Sequence, residues 1–198
     1  MDDVAVLLRQ GLDGNSTVVD MAAGTGRFTL AVAPHCQRVT AVDVSPAMVD
    51  YLRSAVGRAG LGNVQIVPGG FLSYEHRGEA ADFVYSRNAL HQLPDFWKGI
   101  ALQRIASMLR PGGIFRVRDL VFDFAPVEAD ERIEAWLAGA VNDSRDGWTA
   151  AELAEHVRTE FSTYSWVFEG MLQRAGFDIL EREFRKSVYG SYVCRLAI

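Results

Sequence analysis

For most of its length the chain alternates short apolar runs with stretches in which apolar residues recur at helical spacing. After a short helix around residues 3 to 11, the β-branched run NSTVVDMA, entered through turn residues, predicts a first strand. A helix from about Arg27 follows, then a strand over 38–44 (RVTAVDV) and a helix opened by Ser45 and Pro46. Serine suits the N-cap and proline the first helical position. Strands over 63–68 and 81–87, a long helix across 95–109 and a strand over 114–122 continue the alternation. This order predicts an α/β protein, a parallel sheet with helices on both faces, which right-handed crossovers make doubly wound.

The alternation lapses between about 123 and 163, where PVEADERIEAWLAGAV and TAAELAEHVRTEF read as two amphipathic helices with no strand between them. Such an insertion suits a lid or a dimer arm, the latter making a second copy of the chain the partner. A helix over SWVFEGMLQRAG, stopped by Gly176, leads into two strands, FDILEREF and SVYGSYVCRLAI. Their link is too short for a parallel crossover, so they are expected as an antiparallel hairpin at the sheet edge. The expectation is one domain over 1–198, built on a seven-stranded, mostly parallel sheet with an antiparallel last strand and a helical insertion before the hairpin.

A length of 198 residues and 49% hydrophobic composition support a sizeable core. The net charge of -5 argues against a sequence-independent hold on nucleic acid, which needs clustered Lys and Arg to displace counterions. Cys36 and Cys194 have no x-x-Cys partner, so neither a disulfide framework nor a zinc site is suggested, and a reducing cytoplasm suits them. No stretch approaches the roughly 18 apolar residues of a membrane span, and the N-terminus lacks a basic segment before an apolar run. The expectation is a soluble, cytoplasmic protein.

The run VVDMAAGTGRFTL breaks at a glycine turn where an open parallel sheet would bind its ligand. Dinucleotide spacing from Gly24 and Gly26 arrives at Thr29 instead of a third glycine, and a P-loop would need Gly-Lys-Ser/Thr where the chain has Gly26-Arg27-Phe28. A nicotinamide oxidoreductase and a triphosphate site are therefore disfavoured. Small residues at Ala22, Gly24 and Gly26 admit a ligand close to the backbone, and Asp43 ends the second strand, where a carboxylate can accept two ribose hydroxyls. Asp20-Met21-Ala22-Ala23-Gly24-Thr25-Gly26, with Asp43, DVSPAMVDYLR and LRPGG in order, resembles the class I S-adenosylmethionine-dependent methyltransferases.

That resemblance covers most of the chain and implies a Rossmann-like methyltransferase fold with S-adenosylmethionine as cofactor. It implies cofactor contacts at Asp20, on the methionine-side amino group, and at Ala22, Gly24, Gly26, Asp43, Val44, Met48, Gly70, Phe71 and Arg87. The family's acidic residue after the third strand is replaced by Gly69-Gly70-Phe71, leaving main chain and a wall such as Phe71 or Leu72 to hold adenine. Relatives often have a longer N-terminal segment over the cofactor. Here that cover falls to the 123–163 insertion unless the start lies further upstream.

Three residues are candidates for catalysis. His91 in SRNALHQL reads as a general base or a structural hydrogen-bonder, and Asp119 and Glu160 are alternative bases. Arg87 reads as a ligand for a cofactor carboxylate or the partner of a surface acid. Arg116 and Arg118 alternate along an otherwise apolar strand, and Arg118 with Asp119 suits either an acidic substrate or a buried ion pair tying strand to lid. Tyr164 and Trp166 read as pocket wall or core, Trp136 and Trp148 as lid or dimer contacts. In-line displacement on a sulfonium asks mainly for alignment and dryness, and no metal is expected. The acceptor is expected to be a small molecule, and a cofactor-binding module without chemistry is the rival reading.

Overall fold

The computed structural model describes residues 2–145 and 147–197. Its strands are β1 (Thr17–Met21), β2 (Arg38–Asp43), β3 (Val64–Pro68), β4 (Ala81–Arg87), β5 (Leu109–Phe122), β6 (Thr163–Tyr164), β7 (Phe177–Arg185) and β8 (Tyr189–Leu196). Its helices are α1 (Asp3–Arg9), α2 (Arg27–Val32), α3 (Pro46–Ala59), α4 (Asp95–Met108), α5 (Ala129–Ala138), α6 (Ala150–Thr159) and α7 (Ser165–Arg174). The strand order is β3-β2-β1-β4-β5-β8-β7, with the two-residue β6 added beside the outrunning end of β5. β1 to β5 pair in parallel and β8 runs antiparallel to both β5 and β7. The expected doubly wound sheet is present, with β6 as an addition too short to carry a periodicity.

Alternation assigns the two faces. Val18 and Val39 pack with Val6 and Leu7 of α1 and Phe28 of α2, and Ala41 packs with Leu52 and Val56 of α3. Val19, Met21, Phe115 and Val117 face the opposite side, with Leu102 of α4 and Phe168 of α7. Every β1 residue is buried, as a strand covered on both faces requires. The same alternation explains the arginines of β5. Ile114, Arg116 and Arg118 point to the α1 face, where Asp3 accepts from both Arg116 (2.9 Å) and Arg118 (3.0 Å) and from the Tyr85 hydroxyl. The buried ion pair is real, but it ties β5 to α1 and not to the insertion.

Three boundaries differ from expectation for local reasons. β5 begins at Leu109 because Pro111-Gly112-Gly113 form a bulge, shifting the register with β4 between Ala81 and Phe83. Ser45 occupies the N-cap of α3 without a side-chain cap bond, its N–H going instead to Asp43 Oδ1 (2.9 Å). The β7–β8 turn places Lys186 and Ser187 at φ of 57° and 53°, the pair of left-handed residues that a twisted two-residue hairpin wants. Gly176 (φ 93°) follows α7 as the expected stop.

The insertion has its own small core, in which Trp136 of α5 and Leu153 of α6 close over Leu120 and Val188 at the carboxyl end of β5. Among the described residues no helix is long and apolar enough to cross a membrane.

Candidate active site

The chain runs outward from β1 through β2 to β3, then crosses back to β4, so strand order reverses between β1 and β4. A cleft of about 550 Å³ opens there, lined by Asp20, Ala22, Gly24, Tyr85, Arg87 and Asn88, with the start of α1 along one side. The turn bends through left-handed Ala22 (φ 60°), Gly24 (φ 53°) and Gly26 (φ 78°). Nothing lies within 4 Å of a Cβ built on Gly24, whereas one on Gly26 would meet Leu52 Cδ1 at 2.1 Å. Gly24 therefore leaves room beside the cleft, and Gly26 lets α2 pack on α3.

Asp43 is fixed by this turn. Gly24 N–H donates to its Oδ2 (2.7 Å) and Ser45 N–H to its Oδ1 (2.9 Å), so the carboxylate at the end of β2 is oriented by backbone on both sides. Asp20 is buried, and its Oδ2 accepts from the Thr29 hydroxyl at 2.5 Å. Burial pushes its carboxyl up to about 7, against the Thr29 hydrogen bonds and helped by the charge of Asp43. Among the described residues it has no cationic partner. Ser86 Oγ, opposite Met21 in the register of β4 with β1, is buried with no hydrogen-bond partner among the described residues.

The other expected contact residues lie apart from this cleft. Val44 is 76% exposed, directly after Asp43, and a Cβ on Gly70 would come within 3.6 Å of its Cβ, so the two form one open surface. Met48 is half-buried on α3. Phe71 is buried in the core beside Val42 and Leu102, while the neighbouring Leu72 is 38% exposed.

A second cleft, of about 310 Å³, adjoins the first through Arg87 and Asn88 and extends over Arg118, Asp119, Arg185 and Ser191. A smaller cavity of about 120 Å³ is lined by His91, His156, Glu160, Asn88 and Gln92, with Trp148 and Leu153 of the insertion. Asn88 lines all three spaces. Its φ of 51° is left-handed, and its N–H is tied to Arg118 O (2.8 Å).

His91 and Glu160 line this cavity, and Asp119, on the wall of the second cleft, is joined to it through His91. Asp119 Oδ2 accepts from the backbone N–H groups of Ala89 (3.1 Å) and Leu90 (2.7 Å), and Oδ1 from that of Leu120 (2.8 Å) and from His91 Nδ1. Its acceptor capacity is filled, and Arg118 is not among its partners. His91 Nε2 lies 2.8 Å from Glu160 Oε2, at the end of α6, and the same oxygen lies 2.8 Å from His156 Nδ1. His156 Nε2 is 2.8 Å from Ser162 Oγ. Burial holds the His156 imidazole below its ordinary value, opposed by the Glu160 charge. Phe161 N–H donates to His91 O (2.8 Å), and Lys98 Nζ donates to Phe161 O, clasping this corner of the insertion to the sheet. Sequence reasoning found His91, Asp119 and Glu160 and missed His156. The i,i+4 spacing of His156 and Glu160 in EHVRTEF was the available signal.

Residues 18–113 match a methyltransferase-domain family. Together with a mostly parallel sheet ending in an antiparallel hairpin and an acid-flanked glycine turn at its switch point, this defines the class as a Rossmann-like methyltransferase. An uncharacterized methyltransferase of Exiguobacterium sibiricum is 30% identical over 174 residues, 88% of this chain and 74% of that protein. The structure of YcgJ from Bacillus subtilis matches over 98% of this chain and 97% of that one, with a TM-score of 0.74 at 14% identity. That of the N-methyltransferase NodS from Bradyrhizobium japonicum, in complex with S-adenosyl-L-homocysteine, covers 98% of this chain and 85% of that one, with a TM-score of 0.65 at 20% identity. The chain belongs to the class I S-adenosylmethionine-dependent methyltransferases.

Proposed function

We propose that the chain moves a methyl group from S-adenosylmethionine to a small-molecule acceptor. The observation that carries the reading is the pair of adjoining clefts, one walled by the glycine turn and Asp20, the other by residues of β5 and β8, meeting at Arg87 and Asn88. The residues fit an adenosyl amino acid. Asp20 is a buried carboxylate in want of a cation, which a methionine-type ammonium supplies, and Asp43 is a backbone-oriented carboxylate suited to a ribose diol. Ala22, Gly24 and Gly26 admit the ligand to the backbone. Val44, Met48 and Gly70 offer the open surface for the base, with Leu72 in place of the buried Phe71. Arg87, exposed at the end of β4, is placed for a carboxylate.

When bound, the cofactor supplies an activated methyl group, so the protein's task is alignment and exclusion of water. The second cleft, about 310 Å³ with Arg87, Arg118 and Arg185 as well as Asp119 and Glu183 on its walls, suits a compact polar acceptor, and the net charge of -5 weighs against RNA. His91 and Glu160 are the groups that meet the acceptor's reacting end, and Asp119 is a positioning residue that holds His91. The insertion over 123–163 is the cover on this side, within a single domain and a soluble, cytoplasmic protein.

S-adenosylhomocysteine titrated calorimetrically should bind at micromolar concentration where NADH and ATP do not, and Asp43→Ala should abolish that heat. Labelled S-adenosylmethionine should then mark compounds of a small-molecule acceptor panel. Label confined to RNA or protein would refute the acceptor class, and binding without turnover on any acceptor would favour the non-catalytic module.

A further inference from the structure

We propose that His91, His156 and Glu160 form a binding site for one divalent transition-metal ion, with Asp119 as the carboxylate behind His91. The sequence reading weighed only cysteines as ligands and expected no metal. The fold assembles a different donor set from the turn after β4 and the end of α6.

Three observations carry the proposal. First, one atom from each of the three residues lies within 4.8 Å of the others. Donors about 2.1 Å from a common ion and 90–110° apart stand about 3.0–3.4 Å from one another, so the 2.8 Å contacts of Glu160 Oε2 with His91 Nε2 and His156 Nδ1 open slightly, and the two nitrogens, within 4.8 Å of each other, settle to the same spacing when an ion enters. Second, the lone pair of His91 faces inward. A carboxylate can only accept, so His91 Nδ1 carries the proton it shares with Asp119, and a neutral His91 then turns the lone pair of Nε2 toward the Glu160 oxygen. That oxygen is shielded from solvent and receives no in-line hydrogen bond among the described residues. A cation between these atoms removes the conflict. Third, both imidazoles have a partner behind them: Asp119 fixes the tautomer and ring direction of His91, as in metal centres, and Ser162, able to accept from Nε2–H, is compatible with a lone pair on Nδ1 of His156.

Two imidazole nitrogens and one carboxylate oxygen are the donors of zinc and iron(II) class ions, too few and too nitrogen-rich for calcium or magnesium. They leave coordination positions for the 120 Å³ cavity that the three residues line together with Asn88 and Gln92. An acceptor's oxygen, nitrogen or sulfur donor would bind there. This last role rests on the methyl-transfer reading, whereas the ion site does not.

The test uses the full chain stripped with chelator, with Zn²⁺ and Co²⁺ as probes in calorimetry and visible absorption. The proposal expects one ion per chain at micromolar affinity or tighter and a Co²⁺ spectrum with imidazole ligation. His156→Gln and Glu160→Gln should each weaken binding at least tenfold, and Asp119→Asn about 10–100-fold. All three variants should keep the circular dichroism and S-adenosylhomocysteine affinity of the parent. Failure of the parent to take up either ion, or parent-like uptake by His156→Gln and Glu160→Gln, overturns the site while leaving the cofactor reading intact. Ion uptake in a protein that binds no S-adenosylhomocysteine supports the site and removes the methyl-transfer reading.

Discussion

If Asp20 holds the ammonium of the cofactor, as proposed, binding is a proton-linked event. The Asp20 carboxyl titrates at about 7 in the free protein because it is buried with only Thr29 as partner. If a ligand ammonium holds it ionised, binding requires the ionised form. That form is about nine-tenths of the population at pH 8 and about one-tenth at pH 6, so S-adenosylhomocysteine should bind about tenfold more weakly at pH 6 than at pH 8. Calorimetry at pH 6 in buffers of different ionisation enthalpy should show release of nearly one proton per ligand, falling to near zero at pH 8.5. The folded-state value is raised, so Asp20's contribution to stability of the free protein is present below pH ~4 and lost as pH rises through about 7, by about 4 kcal/mol in the limit. Ligand should therefore raise the melting temperature most on the alkaline side. Asp20→Asn should bind more weakly at pH 8 and lose the pH slope. An affinity flat from pH 5.5 to 8.5 in the parent, without proton release, would refute the reasoning.

Three further outcomes follow from the geometry. Gly24→Ala should leave the urea midpoint within about 1 kcal/mol of the parent, the cost of a left-handed alanine in open space, yet impair S-adenosylhomocysteine binding. Gly26→Ala should lose about 2 kcal/mol or more on the same melt, because its Cβ is driven into Leu52 between α2 and α3. Asp3→Ala should destabilise the protein by about 3 kcal/mol, because the buried carboxylate that Arg116 and Arg118 share is lost. In the parent, burial would raise Asp3 but Arg116 and Arg118 hold it low, so that contribution is present above pH ~4 and lost as pH falls below it.

The glycine turn and Asp43 were legible because close-range rules fix them: a strand, small residues at short spacing, and an acid one strand later. The hairpin was legible because a short link forbids a crossover. What escaped reading came from contacts between distant parts of the chain. Arg118 and Asp119 are adjacent in sequence, yet alternation sends one to Asp3 and the other to His91, on opposite faces of β5. His156 looked like one more polar residue of an amphipathic helix, and only the docking of α6 against the turn after β4 shows what it faces. Phe71 or Leu72 was expected as a wall because the acid after the third strand is missing, and the chain turns Phe71 inward to the core while Leu72 stays partly exposed.

Arg116 also bears on the order in which the molecule is made. One guanidinium is held by Asp3 from the first helix and by the carbonyl of Tyr192 from the last strand (3.2 Å). During synthesis the counter-charge has already emerged when β5 appears, but β8 lies between β5 and β7, so the open flank of β5 is closed only when residues 189–196 arrive. A nascent chain stalled before β8 would carry an unpaired inner strand edge, a docking surface for chaperones and for other unfinished copies, and its maturation would end with an insertion into the sheet.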